Sequence, residues 1–250
     1  FLSSTVLIFI CISISVTLGQ DSGYCDPDLC TDSWGRVKDH IGCPGNTKDE
    51  CPKDARWIPI EKELRQLVLD KHNNYRNDLA GGKVDGFPTA KQMPTIEWDD
   101  ELEYLAYFNV MQCVFEHDDC HNTYQFKWSG QNIAWSGGYS SDKQAIEVGV
   151  DGWWDEHKDA TVADIKEVGN SQHMIGHFTA MAQDRTNRIG CAASVYDGKE
   201  RLLTCNYSFT NLKGSSVYKI GDVASGCQTG TNSQYPNLCS TSEEVDPNPR

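Results

Sequence analysis

Two histidine pairs with four-residue spacing, His117 with His121 and His173 with His177, are the side chains best suited to chemistry in this chain. On a helix that spacing puts two imidazoles on one face, where they can share a divalent ion or a proton. Spacing alone does not make a metal site, and neither pair carries the H-E-x-x-H glutamate that activates water in zinc proteases. Serines and threonines lie near these histidines without a G-x-S-x-G elbow or any other nucleophile motif. A further histidine, His72, sits within a helical pattern and reads as a packed, hydrogen-bonded residue rather than a ligand.

Residues 1–19 contain no charged side chain and include the apolar run Val6-Leu7-Ile8-Phe9-Ile10-Cys11-Ile12, with Thr17 and Gly19 as the small residues of a cleavage site. The stretch reads as a secretory signal peptide missing its first residues, with an apolar run shorter than the ~20 residues that span a bilayer. Removing Cys11 with it leaves ten of the 11 cysteines. An even number in an oxidising compartment points to disulfides throughout and leaves no thiol for catalysis. The mature protein is expected to be secreted and extracellular, with no membrane span. A formal net charge of −14 argues against nucleic acid as a partner, because phosphate backbones are bound by clustered Lys and Arg.

The pattern divides the chain into a signal peptide at 1–19, a Cys-rich extension at 20–59, a main domain at 60–212 and a tail at 213–250. The extension has too little periodic apolar content for a core of its own, so disulfides and the neighbouring domain must order it. Ile60, Leu64, Leu67, Val68, Tyr75 and Leu79 recur at helical steps up to Gly81-Gly82 and predict a first helix. Asp99 is the expected cap of a second, carrying Trp98, Leu102, Leu105, Ala106 and Cys113 on one face. Ile146, Val150, Trp153, Trp154 and His157 form the stripe of a third, starting near Ser141 or Asp142. Residues 158–171 read as a polar, mobile connection. A short fourth helix over 175–182 and two antiparallel strands, 188–196 and 201–209 with a turn at Asp197-Gly198, complete the domain. From Gly214 onward the sequence is polar, with Cys227 and Cys239 closing a small loop.

Six segments resemble the signatures of one superfamily, in that superfamily's order. His72-Asn73-Asn74-Tyr75-Arg76 is close to H-N-x-x-R, Cys113-Val114-Phe115-Glu116-His117 to C-x-F-x-H, and Gly130-Gln131-Asn132-Ile133 to G-[EQ]-N-[IL]. Trp153-Trp154-Asp155-Glu156 is close to W-[YF]-x-E, Gly176-His177-Phe178-Thr179 to G-H-[FY]-T-Q, and Cys205-Asn206-Tyr207-Ser208 to C-N-Y-[SG]. Over residues 60–212 the chain therefore resembles the cysteine-rich secretory, antigen 5 and pathogenesis-related (CAP) proteins. Its Gln131 form is similar to that of insect antigen 5 proteins.

The resemblance implies an α+β fold, a three-layer α-β-α sandwich with a disulfide-stapled N-terminal extension and a short C-terminal tail. It implies the pairs Cys25–Cys43, Cys30–Cys120, Cys51–Cys113, Cys191–Cys205 and Cys227–Cys239. It also implies a cleft holding His117, Gln131, Glu156 and His177, with zinc on His117 and His177 in some conditions and no cofactor required. Many relatives carry glutamate where this chain has Gln131, which hydrogen-bonds but accepts no proton, and that weakens a two-carboxylate mechanism.

No catalytic residue is assigned. The expected protein is a non-catalytic salivary or venom component that binds a host mediator or receptor; Tyr75, Leu79, Phe108, Trp153 and Trp154 either line a pocket for a lipid-like ligand or, the favoured reading for any one of them, are simply core. Some horse-fly antigen 5 proteins block platelet integrins through an Arg-Gly-Asp in the loop between the second and third cysteines. Here Arg36, Val37, Lys38 and Asp39 stand in that loop without the tripeptide. The alternative is a metal-dependent hydrolase or redox activity centred on His117, Glu156 and His177. The sequon Asn206-Tyr207-Ser208 is expected to stay unmodified, within the last strand beside Cys205.

Overall fold

The structure, a computed structural model, describes residues 22–32, 34–48 and 50–248; residues 1–19, read above as a signal peptide, and Cys11 among them lie outside that range. In chain order its elements are β1 (Arg56–Ile58), α1 (Lys62–Ala80), β2 (Glu97–Trp98), α2 (Asp100–Val110), β3 (Gly130–Ser136), α3 (Asp142–Asp155), α4 (Val162–Lys166), α5 (Gly176–Met181), β4 (Arg188–Tyr196) and β5 (Glu200–Tyr207). β4 and β5 form the central hairpin, turned by Asp197 and Gly198 at φ 48° and 71°, a region that Asp and Gly tolerate. β3 pairs antiparallel with β5, while β1 (antiparallel) and β2 (parallel) pair with β4.

Every residue of β4 after Arg188 is buried, so the in-out alternation of a half-exposed strand is absent: both faces of the sheet are covered. On one face Ile189, Cys191, Ala193, Leu203 and Tyr207 join a core with Val68 and Leu79 of α1, Ile146, Val150 and Trp153 of α3, and Phe178 of α5. On the other, Ala192, Tyr196 and Leu202 pack on Ala106 and Val110 of α2. Gly190 permits that approach, since a Cβ there would lie 2.1 Å from the Glu103 nitrogen. The result is the three-layer α-β-α sandwich.

Local chemistry sets the helix starts. Asp99 accepts from the N–H groups of Glu101 and Leu102 at 3.0 and 2.9 Å, and Ser141 accepts from Gln144 N–H at 3.1 Å. Helix α2 stops earlier than expected. It ends at Val110, and Cys113 takes φ 54°, so Cys113 is off its face and His117 lies in the following loop rather than at a helix end. The stretch 158–171 is also more ordered than its polarity suggests: a Thr161–Asp164 capping box starts α4 and Ile165 is fully buried.

Both chain ends differ from simple appendages. Tyr24, Leu29 and Ile41 of the extension make a small core with Leu105 of α2, flanked by Phe108. Disulfides Cys30–Cys120 and Cys51–Cys113 fasten the extension to the loop after α2, and Cys25–Cys43 closes it internally. Cys191–Cys205 crosses the hairpin, and Cys227–Cys239 closes a C-terminal loop. Among its described residues the segment read as a polar tail has no helix or multi-residue strand, yet its Val217, Tyr218, Tyr235 and Leu238 are buried in the main core. Glu243 anchors it by accepting from Gln228 N, Thr229 N, Thr229 Oγ1 and Gln92 Nε2.

The residues proposed to line a lipid pocket are core. Tyr75 stacks on Trp154 at 4.7 Å, Leu79 is fully buried, and Trp153 donates its ring N–H to the Ile133 carbonyl at 3.1 Å. Phe108 lies across the sheet beside the extension.

Candidate functional site

The loop after α2, strand β3 and the segments flanking α5 enclose a cleft of about 600 Å³. His117, Gln131, Glu156 and His177 line it together, with Phe115 and Met174 exposed beside them.

Glu156 organises one half. Its Oε2 accepts from His177 N–H at 2.8 Å and Phe178 N–H at 3.1 Å, and its Oε1 accepts from His177 Nδ1 at 2.6 Å. Ile175, at the helix N-cap, makes no side-chain cap bond, so this carboxylate from the end of α3 satisfies the free N–H groups of α5. The same contact puts the His177 proton on Nδ1, because a carboxylate only accepts. The Trp153 ring lies beside the imidazole, with centroids 6.1 Å apart and planes inclined by 25°.

His117 has no carboxylate of its own. Its Nδ1 meets Gln131 Oε1 at 2.9 Å, and Gln131 Nε2 donates to Asp118 Oδ2 at 2.6 Å and to Asn206 Oδ1 at 3.0 Å. No hydrogen bond within the described residues uses Nε2 of either His117 or His177. Two ring nitrogens are thus left over on one cleft.

Glu156 accepts from three donors and orients His177. The donor atoms of His117, Glu156 and His177 do not fall within 4.8 Å of one another; among the described residues the trio that does is Cys30, His40 and Cys120, whose sulfurs are joined to each other.

Residues 69–207 match the family model described as "CAP: Cysteine-rich secretory protein family". The chain belongs to the CAP family. It is similar to Venom allergen-1 of Aedes albopictus, 38% identical over 250 residues and 95% of each chain. It is also similar to Antigen 5 like allergen Cul n 1 of Culicoides nubeculosus, 40% identical over 208 residues, 79% of this chain and 92% of that one. Among solved structures, "Crystal structure of NaASP2 with Zn2+" superposes with a TM-score of 0.63 at 27% identity, over 76% of this chain and 100% of that one.

In this CAP protein the four-residue histidine spacings are not helical pairs. His173 precedes α5, and His117 and His121 lie in the loop after α2. His121 is buried away from the cleft with both ring nitrogens unbonded and Nδ1 3.6 Å from Asp118 Oδ2. Asn206 is fully buried, with Nδ2 donating to Leu102 O at 3.2 Å, which leaves the sequon no room for a glycan.

The loop carrying Arg36, Val37, Lys38 and Asp39 is exposed and does not line the cleft. Asp32 accepts from Trp34 N–H, Arg36 N–H and Arg36 Nε at 2.9, 3.0 and 2.7 Å, and the guanidinium sits 4.9 Å from the Trp34 ring centre. Sequence reasoning missed Asp118. It lies in the run Glu116-His117-Asp118-Asp119, which looks solvated, yet its side chain is 1% exposed and accepts from Asn109 Nδ2 at 2.7 Å. Its one signal is its position, directly after the histidine of the C-x-F-x-H segment.

Proposed function

We propose that this CAP protein acts outside the cell without catalysis, as a disulfide-locked scaffold whose cleft captures a small molecule with an apolar body and a polar head. The make-up of the cleft carries the reading: Phe115 and Met174, 59% and 82% exposed, stand beside a polar floor of His117 and His177. Apolar walls with a few convergent polar groups are what such a ligand requires. Among the described residues no histidine ring hydrogen-bonds a Ser, Thr or Cys side chain, and each described cysteine is in a disulfide. That supports capture over catalysis by a Ser, Thr or Cys nucleophile. Relatives named as venom and antigen 5 allergens support an extracellular site of action.

The polar floor also suits zinc, which the similar NaASP2 structure contains. His117 and His177 would hold it, Glu156 would orient His177, and the ion would supply positive charge for a carboxylate or phosphate head. Displacement of a dansyl-labelled long-chain fatty acid tests the cleft. The double variant Phe115→Asp/Met174→Asp should bind about tenfold more weakly or worse, a loss of about 1.4 kcal/mol, with its thermal midpoint unchanged. Equal binding by that variant would sink the reading.

The stapled loop supports a second, receptor-directed reading. Asp32 holds Trp34, 78% exposed, and Arg36 as one rigid knob, and Trp and Arg are the residue types that dominate protein interfaces. A host receptor, an integrin included, would meet Trp34 and Arg36 rather than Lys38 and Asp39. In platelet aggregation assays Trp34→Ala should abolish inhibition and Lys38→Ala/Asp39→Ala should leave it intact; the reverse pattern rejects this assignment.

A further inference from the structure

We propose that Asp118 is a positioning residue of the cleft: through the Gln131 amide it fixes the His117 proton on Nδ1 and leaves Nε2 as a lone pair for the ligand. This deepens the capture reading and rests on it for the ligand alone. Three groups whose roles are fixed determine the orientation of the amide. The Asp118 carboxylate only accepts, and Gln131 Nε2 lies 2.6 Å from its Oδ2. The Asp118 backbone N–H only donates, and it meets Gln131 Oε1 at 3.3 Å. Asn206 Oδ1 accepts from Gln131 Nε2 at 3.0 Å, and Asn206 cannot turn over because its Nδ2 is committed to the Leu102 carbonyl at 3.2 Å. With Oε1 so placed, the His117 nitrogen 2.9 Å away has to be the donor.

Asp118 is itself held from the sheet. Its buried Oδ1 accepts from Asn109 Nδ2 at 2.7 Å, and Asn109 Oδ1 accepts from Thr204 Oγ1 of β5 at 2.6 Å. Fixed donors and acceptors therefore run from the central hairpin through α2 to the imidazole. They also account for Gln131 where many relatives carry glutamate. A carboxylate there would face Asp118 Oδ2 and Asn206 Oδ1 with no proton between them, leaving buried acceptors opposed. Gln131 and Asp118 are complementary partners, so exchanging amide and carboxylate should restore the link between positions 118 and 131, leaving Asn206 Oδ1 as the one acceptor still opposed.

The test is imidazole ¹⁵N spectroscopy and thermal melting of the ligand-free full chain in the parent, D118N, Q131E and the exchange variant D118N/Q131E. In the parent, His117 should show a pyrrole-type Nδ1 and a pyridine-type Nε2. In D118N the introduced amide sets a second donor against Gln131 Nε2, while Asn206 Oδ1 and the backbone N–H of residue 118 still favour the parent orientation, so both His117 tautomers should be populated and the ¹⁵N signals should become a mixture of the two. Both single variants should melt below the parent, and the exchange variant should melt above Q131E with Nδ1–H kept, short of the parent because a carboxylate at 131 still faces Asn206 Oδ1.

A proton on Nε2 in the parent, or a folded D118N whose His117 ¹⁵N signals match the parent's, would overturn the proposal. So would an exchange variant no more stable than Q131E. If D118N does not fold, the exchange variant decides: recovery with Nδ1–H supports the proposal, and no recovery overturns it. No ligand enters these measurements, so a cleft that binds nothing would leave them unaffected, and their failure would leave ligand capture standing.

Discussion

The core and the cleft use histidine in opposite ways. In the core, His72 spends both ring nitrogens, Nδ1 on the Val68 carbonyl at 2.8 Å and Nε2 on the Tyr207 hydroxyl at 3.0 Å. His40 in the extension does likewise, with Nε2 on the Asn122 carbonyl at 2.7 Å and Nδ1 accepting from Gly42 N–H at 2.9 Å. In the cleft, His117 and His177 spend one nitrogen each. His72 and His40, with nothing left over, brace the fold, and the free nitrogens of His117 and His177 face the cleft. Motif membership does not separate the two kinds, since His72 and His177 both sit in family segments. The regions are nonetheless joined: Asn132 Nδ2 donates both to Tyr207 OH and to the His177 carbonyl, at 3.1 Å each, so His72 steadies the backbone of the cleft.

The widest contrast should come from Arg76, one turn from His72. Its guanidinium, fully buried and lowered by that burial to about 9, donates to the carbonyls of Met181, Gln183, Pro94 and Thr186. Arg76→Met would strip these buried acceptors at about 1–3 kcal/mol each, comparable with a whole domain's stability of ~5–15 kcal/mol. It should not yield folded protein by circular dichroism, while His177→Ala should.

Acid should separate the regions next. Burial lowers His72 to about 4 from an ordinary value near 6.5, so the unfolded chain takes up its proton first. The contribution is therefore full above pH 6.5 and is lost as pH falls toward 4, about 3 kcal/mol in all. Burial lowers His40 as well, with the same sign. Urea unfolding at pH 7, 5.5 and 4 should show this slope, and His72→Gln should flatten it; a parent whose stability is level across that range would contradict the assignment.

How much of this was legible in the sequence depended on whether a signal was local. The cap at Asp99, the Ser141 start of α3 and the Asp197-Gly198 turn are local, and each was readable. The layer order and cleft membership came through family resemblance. Strands β1, β2 and β3 were missed: three and two residues cannot show a period, and Gly130–Ser136 was read only as a family segment; pairing with β4 and β5 makes them strands. The buried tail was missed because Val217, Tyr218, Tyr235 and Leu238 are scattered among polar residues and have no helical or strand spacing. Asp118 was hidden for the converse reason, a buried charge inside a run of charges.

A smaller effect should appear at Glu243. Burial raises its pKa, but the donors from Gln228, Thr229 and Gln92 outweigh that and hold it below the usual carboxylate value. Glu243→Gln should cost about 1–2 kcal/mol and speed amide exchange in residues 227–239 while leaving the cleft unchanged; unaltered exchange there would show that the anchor is dispensable. Smallest of all, His117→Ala should shift stability by about 1 kcal/mol or less in a thermal melt while weakening ligand capture.

Native mass spectrometry decides most directly whether the cleft captures without turning over. The parent and the Phe115→Asp/Met174→Asp variant are each incubated with an equimolar mixture of long-chain fatty acids and lysophospholipids, and the released molecules are weighed. The expected result is one bound amphiphile on the parent, released with its mass unchanged, and none on the variant. An amphiphile retained equally by both proteins, or released chemically altered, would contradict it.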